Sequence, residues 1–204
     1  SLITEQHELR DPENKWLSRM PMRRMDAEML RDSLISLAGV RRDHQFGPAD
    51  PVASRADGLV TSSPINNTWR RSVYVLHRRT QMPTLLTSFD RPRMSPNCVE
   101  RTESTVAPQA LHLMNNQQVK IWATQFADQI MSIHPDDPEA QVRLVYTQAL
   151  SRQPGEDELR LTLETMHRMA EIFKAESPES DVNRSVIRNV CHALLNSAAF
   201  IYVD

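Results

Sequence analysis

The sequence predicts an all-α fold: a multi-helix bundle with an irregular, arginine-rich central segment and a C-terminal unit of three antiparallel helices. Its 204 residues include only 4 Gly and 3 Tyr, which are too few for a protein rich in β-hairpins. Plentiful Leu and Ala together with 10 Met favour helices, and 13 Pro supply helix boundaries. Apolar residues recur three or four positions apart along much of the chain, which is the pattern of amphipathic helices.

Composition and charge exclude several classes of protein. With 40% hydrophobic and 25% charged residues, the sequence is neither that of a disordered chain nor collagen-like. No apolar run approaches the ~18 residues that a membrane span requires. Residues 1–20 lack the pattern of a signal peptide because acidic residues interrupt them. A net charge of −2 gives no reason to expect a nucleic acid partner.

Two helices are expected before residue 40. The Asp-Pro-Glu triplet at 11–13 is a helix start, so the first helix runs from Pro12 to about Met20 and ends at Pro21. A second helix follows and ends at Gly39, a residue that favours helix ends. Its apolar stripe comprises Met22, Met25, Met29, Leu30, Leu34 and Leu37.

The middle of the chain is predicted to be irregular. Gly and Pro accumulate among polar residues at 40–68, which predicts a long loop that is either poorly ordered or a lid. The V-Y-V-L run at 73–76 fits a short strand or a buried helix equally well. A short helix begins at Pro83 and ends at Asp90-Arg91-Pro92. Residues 91–103 form a second loop in this prediction.

Helices fill the rest of the chain. Ser104 or Thr105 caps a helix that carries Pro108 in its first turn and ends near 115–116. The following helix ends before Pro135, and its apolar face comprises Val119, Trp122, Phe126, Ile130 and Ile133.

Three antiparallel helices with short links are expected over residues 138–195. The first starts at a second Asp-Pro-Glu triplet, a Pro-Gly pair turns the chain before the second, and Asp181 caps the third. The inward residues of the third helix are Val182, Val186, Val190, Ala193 and Leu194. We expect residues 1–204 to form a single helical domain, with 138–204 as its C-terminal helical subunit.

The densest group of polar residues lies between positions 70 and 116. A helix that starts at 104–105 would offer unpaired N–H groups and a positive dipole to an anion, and Arg101 would complete such a site. Gln109, His112 and Asn116 share one helix face and would line a cleft. The ligand-binding candidates are therefore Arg70, Arg71, Arg101, Ser104, Thr105, Gln109 and Asn115.

A structural interpretation of the same residues stays open. Ser or Thr before a helix is commonly a cap and nothing more. Arg101 and Glu103 would then pair with neighbours to fasten the loop, and Asp90 would pair with Arg70 or Arg71.

The sequence predicts no metal site and no cofactor. Seven His are scattered without an H-x-x-x-H pair, and no C-x-x-C motif for metal or covalent haem is present. Cys98 with His112 is a conceivable nucleophile and base, but no sequence signature supports that pair. Cys191 lies in an apolar helical stretch, so a buried free thiol is favoured over a disulfide.

Seven separated motifs, in order along the chain, carry a family resemblance. They are D-P-E-N-K-W-L-S-R-M (11–20), R-R-M-D-A-E-M-L-R-D-S-L (23–34), R-R-S-V-Y (70–74), F-D-R-P (89–92), C-V-E-R-T-E-S-T-V-A-P-Q-A-L-H-L-M-N (98–115), A-L-S-R-Q-P-G-E-D-E-L (149–159) and L-L-N-S-A-A-F-I-Y-V-D (194–204). Through them the chain resembles the planctomycete-type C-terminal domain of unknown function 1553. The upstream helical portion of that family, with its tryptophan-rich segment, is not found here.

The resemblance implies a place in a larger protein. Members usually form the end of large exported proteins that carry a companion domain of unknown function and a cytochrome-c-like or carbohydrate-binding module. An extracytoplasmic location follows, with haem possible only on a separate domain. The family signature includes Cys98, Arg101, Ser104, Thr105, Gln109 and Asn115 of this sequence.

Two functions are weighed. The first is a non-catalytic helical module that organises neighbouring domains, with a polysaccharide as a candidate partner. The second is an enzyme acting on extracellular polysaccharide, with catalytic candidates Asp90, Glu100, Glu103 and His112 and a carboxylate pair as acid and base. An enzyme needs these carboxylates exposed in a concave pocket, whereas a module would bury them against arginines.

Overall fold

A computed structural model of the protein describes residues 5–78, 80–92, 101, 104, 106–176 and 181–203. The described residues are predominantly helical, which confirms the predicted fold class. The helices are α1 (Glu5–Arg10), α2 (Ala27–Leu37), α3 (Thr84–Ser88), α4 (Ala107–Asn115), α5 (Gln117–Ile133), α6 (Pro138–Leu150), α7 (Glu156–Glu176), α8 (Val182–Leu195) and α9 (Ala198–Ile201). The strands are β1 (Arg23–Arg24), β2 (Val52–Ser54), β3 (Val60–Ser62) and β4 (Tyr202–Val203).

Helix α5 lies at the centre of the core and packs against α2, α4, α6 and, most extensively, α8. Its buried face includes Val119, Trp122, Phe126 and Ile130, as the apolar spacing predicts. Trp122 also meets Trp69 edge to face, with the ring centroids 5.8 Å apart. Ile133 was expected on the same face but is 54% exposed, because it is the last residue of the helix.

The three C-terminal helices begin where the sequence predicts. The Asp137 carboxylate accepts the Ala140 N–H at the start of α6, and Asp181 accepts the Arg184 N–H at the start of α8. Helices α6, α7 and α8 pack against one another. On α8, the prediction that Ala193 faces inward is wrong: the buried positions at this end are Cys191 and Leu195.

Residues 11–22 do not form the predicted helix. Asp11 accepts the N–H groups of Lys15 at 2.7 Å and Trp16 at 3.0 Å, which closes a turn instead of a helical first turn. Asn14 has a positive φ of 50°, so the right-handed helix cannot continue. Met22 is 74% exposed and Met29 is 44% exposed, so both are wrongly assigned to the apolar stripe.

The region 40–68 contains a β-hairpin that the sequence analysis did not predict. Strand β2 pairs antiparallel with β3, from Val52–Ser62 to Ser54–Val60. Gly58, with a φ of +82°, permits the tight turn between them. The 73–76 run forms neither the short strand nor the buried helix that the sequence allowed. Ser72–Tyr74 is a single 3-10 turn, and Val75 forms an isolated β-bridge with Asp50.

The predicted cap of α4 is also wrong. The N-cap residue is Val106, and the Gln109 side chain reaches back to its N–H at 3.4 Å. Ser104 lies two residues earlier and uses its hydroxyl elsewhere, while Thr105 lies outside the described residues. Pro108 in the first turn and the end at Asn115 are as predicted.

Candidate functional site

Asp90 is the centre of a polar cluster that joins three parts of the chain. It follows Phe89, the C-cap residue of α3, and its φ of 61° lies outside the right-handed helical region. The carboxylate accepts the Ser104 N–H at 2.8 Å and the Ser104 hydroxyl at 2.9 Å. It also accepts hydrogen bonds from Arg24 Nη2 at 2.9 Å and from Gln109 Nε2 at 3.4 Å. We call Asp90, Arg24, Ser104 and Gln109 the Asp90 cluster.

The electrostatics of the Asp90 cluster favour an ionised carboxylate. Burial raises the pKa of Asp90, but the Ser104 N–H and the Arg24 guanidinium more than offset it, so the pKa lies below its usual value. The Arg24 side chain is only 5% exposed and packs 5.4 Å from the centre of the Phe89 ring. The predicted partners of Asp90, Arg70 and Arg71, are therefore wrong, because both arginines bind other carboxylates.

Arg70 forms an ion pair that is almost completely buried. Its Nε donates to Asp50 Oδ1 at 2.8 Å, and the two side chains are 2% and 1% exposed. Its other nitrogens donate to the carbonyls of Phe46 and Pro48, and the guanidinium stacks 4.7 Å from the Tyr74 ring centre. All its donors therefore serve to fasten the 46–50 stretch to the core.

Arg71 and its neighbour Ser72 bind α2. Arg71 is 64% exposed, with Nε 3.4 Å from Asp32 Oδ2. Ser72 binds Asp32 more closely, since its N–H and its hydroxyl both donate to Oδ1 at 2.7 Å. The buried Arg31 donates to Ser62 Oγ at 2.9 Å, and burial lowers its pKa to about 10. These contacts hold the 3-10 turn and the hairpin on α2.

Arg101 pairs with α2 as well. Its Nη1 and Nη2 donate to the two oxygens of Glu28 at 3.0 and 3.2 Å, a bidentate arrangement. Burial raises the pKa of Glu28, and the hydrogen bonds and charge of Arg101 lower it to below its usual value. Arg91 Nε lies 3.5 Å from the same carboxylate. The Glu28 carboxylate thus binds Arg91 and Arg101, which lie near the two ends of the 91–103 region.

The predicted polar face of α4 turns inward and does not line a cleft. Gln109 and Asn116 are 5% and 7% exposed. Asn116 caps α5 by accepting the Gln118 N–H, and its amide contacts His112 Nε2 at 2.8 Å. Burial lowers the pKa of His112, so the ring is neutral at pH 7. Asn115 is exposed to solvent.

The structure thus brings Asp90, Ser104 and Gln109 together and places Arg70, Arg71 and Arg101 at three separate carboxylates. Glu100, Glu103 and Thr105 lie outside the described residues. The sequence analysis missed the partners: Arg24, Glu28, Arg31, Asp32 and Asp50. Four of these stand in the R-R-M-D-A-E-M-L-R-D run at 23–32, whose dense alternating charge was the available signal.

Cofactor and membrane features were searched over the same residues. In the described ranges, no three His, Cys, Asp or Glu side chains are grouped as metal ligands would be. None of the helices in that part of the chain has both the length and the apolar character of a membrane crossing. Cys191 is a buried free thiol, as predicted, and burial raises its pKa.

The 11–22 segment presents a different surface. Its polar groups are used internally: the Arg19 guanidinium donates to the carbonyls of Asp11 and Pro12, both at 2.8 Å, and Asn14 bonds the Arg19 backbone in both directions. The apolar side chains point outward instead. Exposed fractions are 78% for Trp16 and Leu17, 52% for Met20, 74% for Met22 and 83% for the preceding Leu9.

Fold and site together define a predominantly α-helical protein whose loops are fastened by arginine–carboxylate pairs. A family model described as protein of unknown function (DUF1553), also called PSD1, matches residues 1–166. The chain therefore belongs to this family, and the resemblance inferred from the motifs is confirmed. No curated protein and no solved structure matches the chain.

Proposed function

We propose that the chain is a non-catalytic helical module of an exported, extracytoplasmic multidomain protein, and that it binds neighbouring domains of the same polypeptide. The family resemblance suggests the partners: a companion domain of unknown function and a cytochrome-c-like or carbohydrate-binding module, with any haem held there. The observation that carries the proposal is the outward-facing apolar surface of the 11–22 segment, described above.

The conformation of this segment supports a contact role. Leu17 has a φ of 52°, a region that costs a residue with a Cβ roughly 1–2 kcal/mol. The side chain is 78% exposed, so burial within this chain does not offset that cost. Trp16 and Leu17 stand side by side on a loop held by internal hydrogen bonds, which is a preorganised anchor of the kind found at interface centres.

The surroundings of Asp90 support a structural role over catalysis. Arg24, the Ser104 N–H and Gln109 all donate to Oδ2 of Asp90, and the Ser104 hydroxyl donates to Oδ1, so both oxygens already accept hydrogen bonds within the chain. A general acid needs a raised pKa, whereas the pKa of Asp90 is lowered. The alternative, a polysaccharide-cleaving enzyme, would therefore take its general acid from Glu100 or Glu103, and a lowered pKa suits Asp90 only to the ionised role of base or nucleophile.

Photo-crosslinking tests the binding role. A photoreactive amino acid is placed at position 16 in the intact polypeptide and, as a control, at the exposed apolar position 172 on α7, which is 53% exposed. We expect crosslinks from position 16 to other domains of the same polypeptide, and far fewer from position 172. Equal yields from both positions, or crosslinks only to unrelated proteins, would contradict the proposal.

Substitution of Asp90 tests the structural role. Asp90→Asn removes the charge that Arg24 and Ser104 face, so we expect a loss of about 2 kcal/mol of unfolding free energy in urea titrations. Asp43→Asn is the matched control, because Asp43 is 68% exposed and its ion pair is with the half-exposed Arg41, and it should change stability by less than about 0.5 kcal/mol. An Asp90→Asn protein as stable as the parent would instead fit an active-site carboxylate.

A further inference from the structure

We propose that a cavity between α5 and α8 binds the dianionic head of a phosphate monoester. The cavity has a volume of about 360 Å³, and its lining includes no member of the Asp90 cluster. The Asp128–Arg184 ion pair joins the same two helices, but neither residue lines the cavity. Its lining residues are Gln117, Lys120, Ile121, Thr124, Arg188, Asn189 and His192. Among the described residues, no carboxylate lines it.

Two unneutralised cations face this cavity from different helices. Lys120 comes from α5 and Arg188 from α8, and neither has an ion pair within the part of the chain that the structure describes. That is unusual in this molecule, where most described arginines pair with an Asp or Glu. Two like charges that share a cavity repel each other, and a bound dianion removes that repulsion.

His192 reports the same positive potential. Its Nε2–H donates to the Leu113 carbonyl at 3.2 Å, which fixes the ring at the edge of the cavity. Burial lowers the pKa of His192, and the charges of Lys120 and Arg188 lower it further. The positive end of the 17-residue helix α5 begins at Gln117, also in the lining, and adds to this potential.

The remaining lining residues define the class of ligand. Asn189 accepts from Arg188 through Oδ1, which leaves its amide N–H groups available to an oxygen acceptor. Donors on several sides suit the three terminal oxygens of a phosphate better than the two of a carboxylate. Ile121 supplies an apolar wall, and the volume falls within the roughly 300–1,000 Å³ of ligand pockets, so an organic group has room beside the phosphate.

Calorimetric titration with phenyl phosphate at pH 7.5 tests the proposal. We expect saturable binding at one site per chain, weakened about tenfold by Lys120→Gln and by Arg188→Gln, because each removes a charged donor. Lys174→Gln is the matched control, since Lys174 is an exposed cation on α7 outside the cavity and its loss changes net charge equally. It should leave the affinity unchanged.

Besides unchanged binding in both cavity variants, three results would overturn the proposal. The first is that phenyl phosphate shows no saturable binding in the millimolar range. The second is that Lys174→Gln weakens the affinity as much as the cavity variants do, which means a diffuse charge effect. The third is that benzoate binds as tightly as phenyl phosphate. Thermal melting of each variant, followed by circular dichroism, checks the fold. A variant with unchanged melting and weakened binding supports the site, while unchanged binding in both Lys120→Gln and Arg188→Gln refutes it.

Discussion

Asp50 and Arg70 form the ion pair for which a single substitution should have the largest effect. Breaking a buried pair leaves an uncompensated charge, so Asp50→Asn should lower the free energy of unfolding by about 3–5 kcal/mol. Asp50 also accepts the Arg70 N–H at 3.3 Å, so the backbone loses an acceptor in the same variant. Urea unfolding followed by circular dichroism measures the loss.

Asp128→Asn provides the comparison for Asp50→Asn. Asp128 binds Arg184 at 2.6 Å with equally direct geometry, but the two side chains are 43% and 50% exposed. An exposed pair contributes about 0–1 kcal/mol, so this variant should remain near the parent. Similar losses in the two variants would show that burial does not decide the strength of these pairs.

At the scale of single residues, the sequence identifies an arginine-rich central segment but does not predict which carboxylates those arginines bind. An excess of Arg over Lys is weak evidence for paired guanidinium groups, since genomic composition can produce the same bias. The partners, however, are far apart in sequence: Arg24 is 66 positions from Asp90, and Arg101 is 73 positions from Glu28. Local spacing carries no information on such pairs, because they exist only once α2 has packed against the 70–116 region.

The end of α2 is defined by Gly39, whose substitution is a sharp test at the scale of the element. Gly39 has a φ of +66°, and a Cβ at this position would lie 2.6 Å from Gln129 Oε1 on α5. Gly39→Ala should therefore cost roughly 2–3 kcal/mol, from strained backbone and from displacing Gln129, which donates to the Leu37 carbonyl at 2.8 Å. Thermal unfolding checks this value.

Gly47 is the control for Gly39. Its φ is +80°, but nothing in the part of the chain that the structure describes lies within 4 Å of an added Cβ, so Gly47→Ala carries only the backbone cost of roughly 1–2 kcal/mol. The difference between the two variants isolates the contact of α2 with α5. If Gly47→Ala lowers stability more than Gly39→Ala does, the contact of α2 with α5 at Gly39 does not contribute to stability.

Two identical triplets show which elements the sequence specifies. Asp-Pro-Glu occurs at 11–13 and at 137–139, yet only the second begins a helix. After 137, Val142 and Val145 supply a buried face. After 11, the Asn14 side chain bonds the Arg19 backbone and competes with helical hydrogen bonds. A cap signal is therefore decisive only where an apolar stripe follows it.

The molecule as a whole should lose stability in acid, in two steps. Burial lowers the pKa values of His77, His112 and His192 below the ordinary 6.5, so their contribution is complete above pH 6.5 and is lost as pH falls below it. The pKa of Glu158, hydrogen-bonded by Arg152, is lowered from 4.5 to about 2, so its contribution is lost between those pH values. Urea unfolding between pH 7 and pH 3 should show stability falling throughout.

A single histidine variant tests the first step of that acid response. His112→Gln cannot take up a proton, and its Oε1 can reach the position of Nε2 and still accept from the Asn116 amide. We expect a smaller loss of stability between pH 7 and pH 5 than in the parent. An unchanged slope over this range would mean that His112 does not contribute.

The overall fold class follows from composition and periodicity, because long amphipathic helices such as α5 bury one regular face. The small sheets do not follow. Strands β1 and β4 have two residues each and pair Arg23 with Val203 and Arg24 with Tyr202 across almost the whole chain. Two residues are too short for any periodicity, so only the finished packing of the helices determines that pairing.

The rate at which an alkylating reagent modifies the buried thiol of Cys191 measures how the core opens. Alkylating reagents attack thiolates, and Cys191 is 0% exposed with a pKa raised by burial, so it reacts only when the core opens. In a Cys98→Ser variant it is the sole thiol of the chain. If the rate of labelling reaches a plateau as the reagent concentration increases, the plateau gives the rate at which the core opens. If the rate of labelling instead rises in proportion to the reagent concentration, it gives the population of open molecules.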